Sequence, residues 1–325
     1  MKPVKQALSF AAAVAFAALA LPAAAQTVLN VNTALTTDDP MYAGLERMKA
    51  NVESRSAGKL QIRIFPGSQL GKDEDVLEQA RAGANVAVLV DGGRLAPFVK
   101  EFGIMGAPYL VDNFDQVLRL EQSPLFKGWV DKLRNAAGLQ VLAFDWFQGH
   151  RHVLTNVPVK VPADLKGIRM RTPGAPVWLE TVRAMGATPT GMPWSEVYSA
   201  LQTRVIDGAE AQHPAVYGAK LYEVVKIITK TEHIYLITGI VTSRAWFDKL
   251  PADQQKILAE ETFAAGKWAS EATIASLADY EKKLREKGVT IVEIDKAPFK
   301  AATAGVYQTL GYADLRKDVD KALGK

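Results

Sequence analysis

Cysteine is absent from this sequence. No disulfide can staple the fold, no thiol can serve as nucleophile or metal ligand, and no lipid can be joined through a cysteine. Histidine is scarce, at four residues: His150, His152, His213 and His233. His150 and His152 fall on one side of a strand, but no third ligand stands nearby, so no metal site and no cofactor is expected. Also missing are a Gly-x-Ser-x-Gly elbow, a phosphate-cradling Gly-rich loop ending in Lys-Ser/Thr, and a His-Glu-x-x-His pair. That leaves no local signature of an enzyme. Beyond the first 25 residues no apolar run is long enough to span a bilayer. No concentrated basic stripe is present either, which argues against a nucleic-acid partner.

The opening stretch has a composition of its own. Lys2 and Lys5 precede an apolar, Ala-rich run from Ala7 to Leu21, followed by Pro22 and Ala23-Ala24-Ala25-Gln26. This order describes a cleaved secretory signal peptide over residues 1–25. Cleavage there removes two lysines, so the 39 basic residues against 35 acidic ones become 37 against 35. The mature chain is then close to neutral and is expected to diffuse freely in the periplasm.

The rest reads as repeated α/β units. Val28 to Ala34 is a buried strand, and Asp39 can cap a helix with Pro40 in its first turn. Met41, Leu45, Met48 and Val52 share a helical face. Leu60, Ile62 and Ile64 alternate as a strand, Asp73 to Ala82 forms a second helix, and Val86 to Val90 is a continuous apolar strand of the kind buried on both faces. The order predicts α/β architecture with mostly parallel strands. The pattern restarts with a strand from Leu139, a strand over Ile168–Arg171, and a helix from Pro176 to Met185. A helix capped by Ser195 and a strand after Asp207-Gly208 complete it. No flexible linker separates the halves, so two lobes would have to be joined by ordered segments. From Pro251 to Lys287 an Ala-, Glu- and Lys-rich stretch predicts one helix of about 50 Å, or two broken near Gly266. Ile257, Ala264, Trp268, Ala275 and Ala278 are its expected buried face.

Candidate site residues are basic and aromatic. Arg171 ends an apolar strand just before Thr172-Pro173-Gly174, where α/β proteins hold ligands, and a guanidinium grips a carboxylate through two parallel hydrogen bonds. Arg169 shares its side of the strand, so spacing does not choose between them. Arg151 follows Trp146-Phe147-Gln148-Gly149, the expected crossing between lobes. Trp146 and Trp194 are either ligand-stacking rings or core. Glu210 can accept ligand hydroxyls or pair with an arginine.

Four segments together resemble the solute-binding proteins of tripartite ATP-independent periplasmic (TRAP) transporters, of the dicarboxylate-binding type. They are Phe65-Pro66-Gly67-Ser68-Gln69-Leu70-Gly71, Asp164 through Arg171, Met192-Pro193-Trp194 through Thr203, and Asp207-Gly208-Ala209-Glu210. The resemblance implies a two-lobed periplasmic binding protein fold with an interlobe cleft and a long helix spanning both lobes. Lobe I is then residues 26–149 with 240–290, and lobe II is 150–239 with 291–325. It implies Arg171 as the main carboxylate anchor, Arg151 as a second arginine, Asp91 and Arg94 as pocket residues, and Trp194 as the pocket aromatic. Where relatives carry Glu-Asn-Pro, this chain has Glu210-Ala211-Gln212-His213-Pro214, so Gln212 or His213 is expected to replace the asparagine. The implied function is capture of a small organic acid by a monomer that closes around it and docks on the TRAP permease subunits. The rival readings are a sensor subunit presenting its ligand to a membrane receptor, and a periplasmic enzyme.

Overall fold

The computed structural model describes residues 26–325, so the expected signal peptide lies outside the described residues. Nine strands form one sheet: β1 (Thr27–Asn32), β2 (Leu60–Phe65), β3 (Val86–Asp91), β4 (Leu139–Thr155), β5 (Arg169–Thr172), β6 (Thr188–Gly191), β7 (Gly208–Ala211), β8 (Ile227–Ser243) and β9 (Thr290–Val292). Their order is β2-β1-β3-β8-β4-β7-β5-β6, with β9 also on β8. The outer strands pair in parallel within each half, β1 with β2 and β3, and β5 with β6 and β7. Antiparallel pairing enters only where a long strand takes part. The mostly parallel expectation therefore holds away from the middle of the sheet.

The middle is β4 and β8, each 17 residues. At ~3.3 Å per residue each spans about 56 Å, more than one small domain needs. β3 pairs with residues 238–242 of β8, whereas β7 pairs with residues 152–155 of β4. The two strands thus tie two half-sheets together without any loop, as the lack of a linker required. Their register slips between Phe147 and Gly149, where Gly149 takes φ +115°, a conformation open to glycine. That slip marks the crossing. The sequence reading found the beginning of β4 but not its length, and it missed β8.

Each half-sheet is covered on both faces. Val86, Val88 and Val90 of β3 enter a core with Phe102, Phe126 and Phe144. The alternate residues Ala87 and Leu89 join Met41, Leu45 and Met48 of the helix Pro40–Arg55 on the other side. In the second half Leu154 and Ala209 pack with Leu201 and Val216, while Val153 and Met170 pack with Met185 and Phe299. The C-terminal helix Ala313–Leu323 returns to the first half, where Val319 and Leu323 join the Phe102 core.

The long helix is a single element, Ala252–Glu286, and its 35 residues give about 52 Å at ~1.5 Å each. Gly266 does not break it. A side chain there would collide with the Asp145 carboxylate and come within 2.5 Å of Trp146 Nε1, so glycine lets the helix lie close on β4. The expected buried face was wrong. Ala264, Trp268, Ala275 and Ala278 are exposed, and Leu258, Thr262, Ala265, Ala269, Ser270 and Thr273 are buried instead. Close approach to a sheet selects small residues, while Trp268 lies outside under Arg47, 5.4 Å from its ring centre. Ser195 does not cap a helix: Trp194–Glu196 form a 3₁₀ turn, and the helix Val197–Gln202 starts from Glu196 without a side-chain cap bond.

Candidate functional site

The two halves enclose a cavity of about 60 Å³ beside the crossing of β4 and β8. The first half contributes Thr33 after β1, Asp73 at the start of the helix Asp73–Arg81, Asp91 at the end of β3, and Arg94. The second half contributes Arg151 of β4, Arg171 and Pro173 at the end of β5, Trp178, Trp194 and Gln212, while Gln148 of β4 sits at the crossing. Leu236 and Thr238 belong to the crossing itself. The pattern is that of α/β folds, with chemistry gathered at carboxyl ends of strands.

On the first wall the cation is outnumbered. Asp91 caps the turn that follows β3 by accepting from Arg94 N, and its carboxylate also pairs with the Arg94 guanidinium. Arg94 Nε lies 2.8 Å from Glu74 Oε1 and 3.6 Å from Asp73 Oδ2. Burial alone would lower the Arg94 pKa, but Asp91, Asp73 and Glu74 outweigh it and hold the value above the ordinary one. Asp73 is pushed up to about 6, chiefly by burial and against the pull of Arg94. Its Oδ1 is buried without a hydrogen-bond partner.

On the second wall the anion is outnumbered. Glu210 is fully buried and receives the Arg151 guanidinium, with Arg151 Nη2 donating to Oε1 at 2.7 Å and Nε to Oε2. Thr172 Oγ1 donates to the same carboxylate at 2.8 Å. Burial opposes the Glu210 charge, yet Arg151 and His233 bring its pKa down to about 2. Arg171 is 1% exposed and has no carboxylate within ion-pair distance among the described residues. Its Nε and Nη2 donate to the Met192 carbonyl at 2.9 and 2.7 Å, and its guanidinium lies 5.3 Å from the centre of the Trp194 ring. Burial, then Arg151 and Arg94, depress its pKa, with Glu210 opposing. A buried cation so placed is a prepared anion site.

A hydrogen-bond chain ties this wall to the crossing. Arg151 Nη1 donates to Gln212 Oε1 (3.1 Å), Gln212 Nε2 to Gln148 Oε1 (2.9 Å), and Gln148 Nε2 to Thr238 Oγ1 (3.2 Å).

Of the nine residues expected at the site, Arg171, Arg151, Asp91, Arg94, Trp194 and Gln212 line the cavity. Three do not. Trp146 is core, packed under Gly266 and Gly44, as an indole this large fills the gap between helix and sheet. Glu210 lies behind the wall, its carboxylate taken by Arg151 and Thr172. His213 faces away, its ring 4.5 Å from that of His152 and its Nδ1 3.9 Å from Glu281 Oε1. Of the two residues expected to replace the asparagine, Gln212 lines the cavity and His213 does not. Arg169 is exposed and paired with Asp207 at 2.8 Å. Among the described residues no three His, Asp or Glu converge as a metal site. The sequence reading missed Asp73, Gln148, Trp178, Thr33 and Thr238. Asp73 was readable only as one of three acids favouring a helix N-terminus, and Trp178 only as a helix core residue.

Residues 31–314 match the family described as bacterial extracellular solute-binding protein, family 7. A C4-dicarboxylate-binding periplasmic protein of Rhodobacter capsulatus is 32% identical over 78% of this chain and 78% of its own length. Among solved structures, a TRAP periplasmic solute-binding protein of Escherichia fergusonii, in an apo open form, is 46% identical. It covers 91% of this chain and 99% of its own, with a TM-score of 0.80. One of Ochrobacterium anthropi with bound L-fuconate is 32% identical, covers 92% and 100%, and has a TM-score of 0.89.

Proposed function

Because this chain belongs to bacterial extracellular solute-binding protein family 7, as a TRAP-type solute-binding protein, we propose that its cavity captures a small organic acid bearing a single carboxylate and a hydroxyl-rich body. The observation that carries this reading is the charge inventory of the buried walls. Arg94 faces Asp91, Asp73 and Glu74, and Arg151 faces Glu210. Of the three arginines that line the cavity, Arg171 alone has no acidic partner within ion-pair distance among the described residues. A second carboxylate at the other end of the ligand would meet Asp73 and Asp91, and like charges at close range repel. Hydroxyl groups there meet an unfilled acceptor, Asp73 Oδ1. Aldonates and uronates have this polarity, and L-fuconate, bound by the Ochrobacterium anthropi protein, is an aldonate.

The conformation fits a closed state. The more distant, ligand-bound structure superposes better than the closer, open one, at 0.89 against 0.80. Closure brings both walls onto one ligand, so binding shifts the population towards it. In the proposed lobe division, residues 26–149 with 240–290 move against 150–239 with 291–325, except that the last helix stays with the first lobe. The closed form is a monomer in the periplasm that delivers its ligand to the TRAP permease subunits and catalyses nothing. Calorimetry with L-fuconate, D-glucuronate and succinate tests this. Binding of a sugar acid with succinate at least tenfold weaker supports it, and preference for succinate overturns the single-charge reading.

A further inference from the structure

Trp178 is the large residue in the cavity wall for which the capture of a carboxylate has no evident use. It stands on the helix Pro176–Ala184, just after the strand that carries Arg171, yet its indole is buried in the core cluster of the first half, with Phe102, Phe144 and Phe147. The slot it enters is cut for it. A methyl group on Gly93 would strike the indole nitrogen, and one on Gly106 would come within 3.2 Å of it. At the bottom of the slot Trp178 Nε1 donates to Asp91 Oδ1 at 3.0 Å. The face of the ring lies 4.7 Å from the Arg151 guanidinium, which fixes the ring from the second half. One side chain thus spans both walls, plugging the first while backing a ligand-side arginine of the second.

Resting on the reading above, we propose that Trp178 is a specificity-determining residue that forms the end wall of the cavity and sets the length of acid the closed protein accepts. Two observations support the assignment. The indole bounds the cavity of about 60 Å³, and the slot it fills lies in the core of the first half, so removing the ring joins the slot to the cavity. A long acid therefore needs space that only a large wall residue can release. The indole is also held at both ends, by Asp91 and by Arg151, so it does not swing aside freely. A carbonyl or hydroxyl of a long ligand would have to break the bond to Asp91, leaving a buried carboxylate short of a donor. The slot serves closure as well as size, because the Trp178–Asp91 bond joins the two halves.

Trp178→Ala and Trp178→Phe, with calorimetry on D-glucuronate (a six-carbon chain) and N-acetylneuraminate (a nine-carbon chain), separate these roles. The wild type should bind the six-carbon acid and leave the nine-carbon acid unbound. Trp178→Ala should raise nine-carbon relative to six-carbon affinity at least tenfold. Trp178→Phe keeps the bulk and loses the N–H, so it should keep the length limit while weakening the six-carbon acid two- to tenfold. An unchanged length preference in a folded Trp178→Ala protein overturns the proposal. If that variant does not fold, loss of the length limit in Trp178→Phe overturns it and retention supports it. A wild type that binds no sugar acid sinks the functional reading instead. Trp178 is then judged on unbranched mono- and dicarboxylates of graded length: a length limit that Trp178→Ala extends keeps the plug, and one that it leaves unmoved removes it.

Discussion

The two walls of the cavity oppose each other in charge. The wall from β3 and the helix Asp73–Arg81 sets one guanidinium, Arg94, among Asp73, Glu74 and Asp91. The wall from β4, β5 and β7 carries two guanidiniums and one carboxylate: Arg151 pairs with Glu210, and Arg171 donates to the Met192 carbonyl. The first has acceptors to spare and the second a cation to spare. A ligand with a carboxylate at one end and hydroxyls along the rest satisfies both, and in one orientation only. The asymmetry therefore specifies direction as well as affinity.

The largest test removes the compensation on the second wall. Glu210→Gln leaves Arg151 buried beside a neutral amide. Breaking a buried pair in this way costs about 3–5 kcal/mol. Urea unfolding should show a loss of that size, and a loss below ~1 kcal/mol would mean that the two arginines do not depend on Glu210.

Next comes the uncompensated cation. Arg171→Lys keeps the charge and loses the planar fork, so sugar-acid affinity should fall by about 2–4 kcal/mol, or roughly 30- to 1000-fold. Calorimetry measures it, and near-wild-type affinity in a folded protein would place the anchor elsewhere.

The first wall responds to pH. Burial pushes the Asp73 carboxyl up from its ordinary value, about 4, to about 6 in the folded protein, so between those values the folded state holds a proton that the unfolded chain has lost. Its contribution is full below pH ~4 and is lost as pH rises through about 6. In the ligand-free protein, Asp73→Asn should gain on the order of 1–3 kcal/mol relative to wild type between those limits. Parallel stability curves for the two proteins from pH 4 to 7 would refute the assignment.

The smallest effect is the control. Arg169 is exposed and paired only at the surface with Asp207. Arg169→Lys should change ligand affinity by less than about 0.5 kcal/mol, in contrast to the same substitution two residues on.

These two arginines also show where sequence reading stops. Strand period puts Arg169 and Arg171 on one side, and that side is correct. What separates them is position along β5: Arg169 enters the strand at the outer surface, and Arg171 leaves it in the cleft. The motif resemblance selected Arg171, whereas periodicity did not. Glu210 was readable as an arginine partner or a ligand contact, and it is the former because β7 turns it towards Arg151 on β4. On the long helix, the face chosen by large apolar residues was the wrong one. The contact with β4 is made through Gly266 and Ser270, and Ala269 packs on Gly44 of the helix Pro40–Arg55, residues whose small size carries little hydrophobic signal.

The alternation of strand and helix from β1 to β3, a long helical stretch over 251–287 and an arginine at the end of β5 were legible in the sequence, whereas the continuity of that helix through Gly266 was not. Local periodicity, capping and turn residues act within a few positions of each other, and they are visible in the order of residues. The tertiary structure decided which acids neutralise which arginines, that Trp178 reaches across to Asp91 87 residues away, and that β4 and β8 run through both halves. Those outcomes depend on which distant groups share a buried volume. Burial removes the solvent that would otherwise screen them, and it leaves Arg171 in the cavity wall without a carboxylate partner among the described residues.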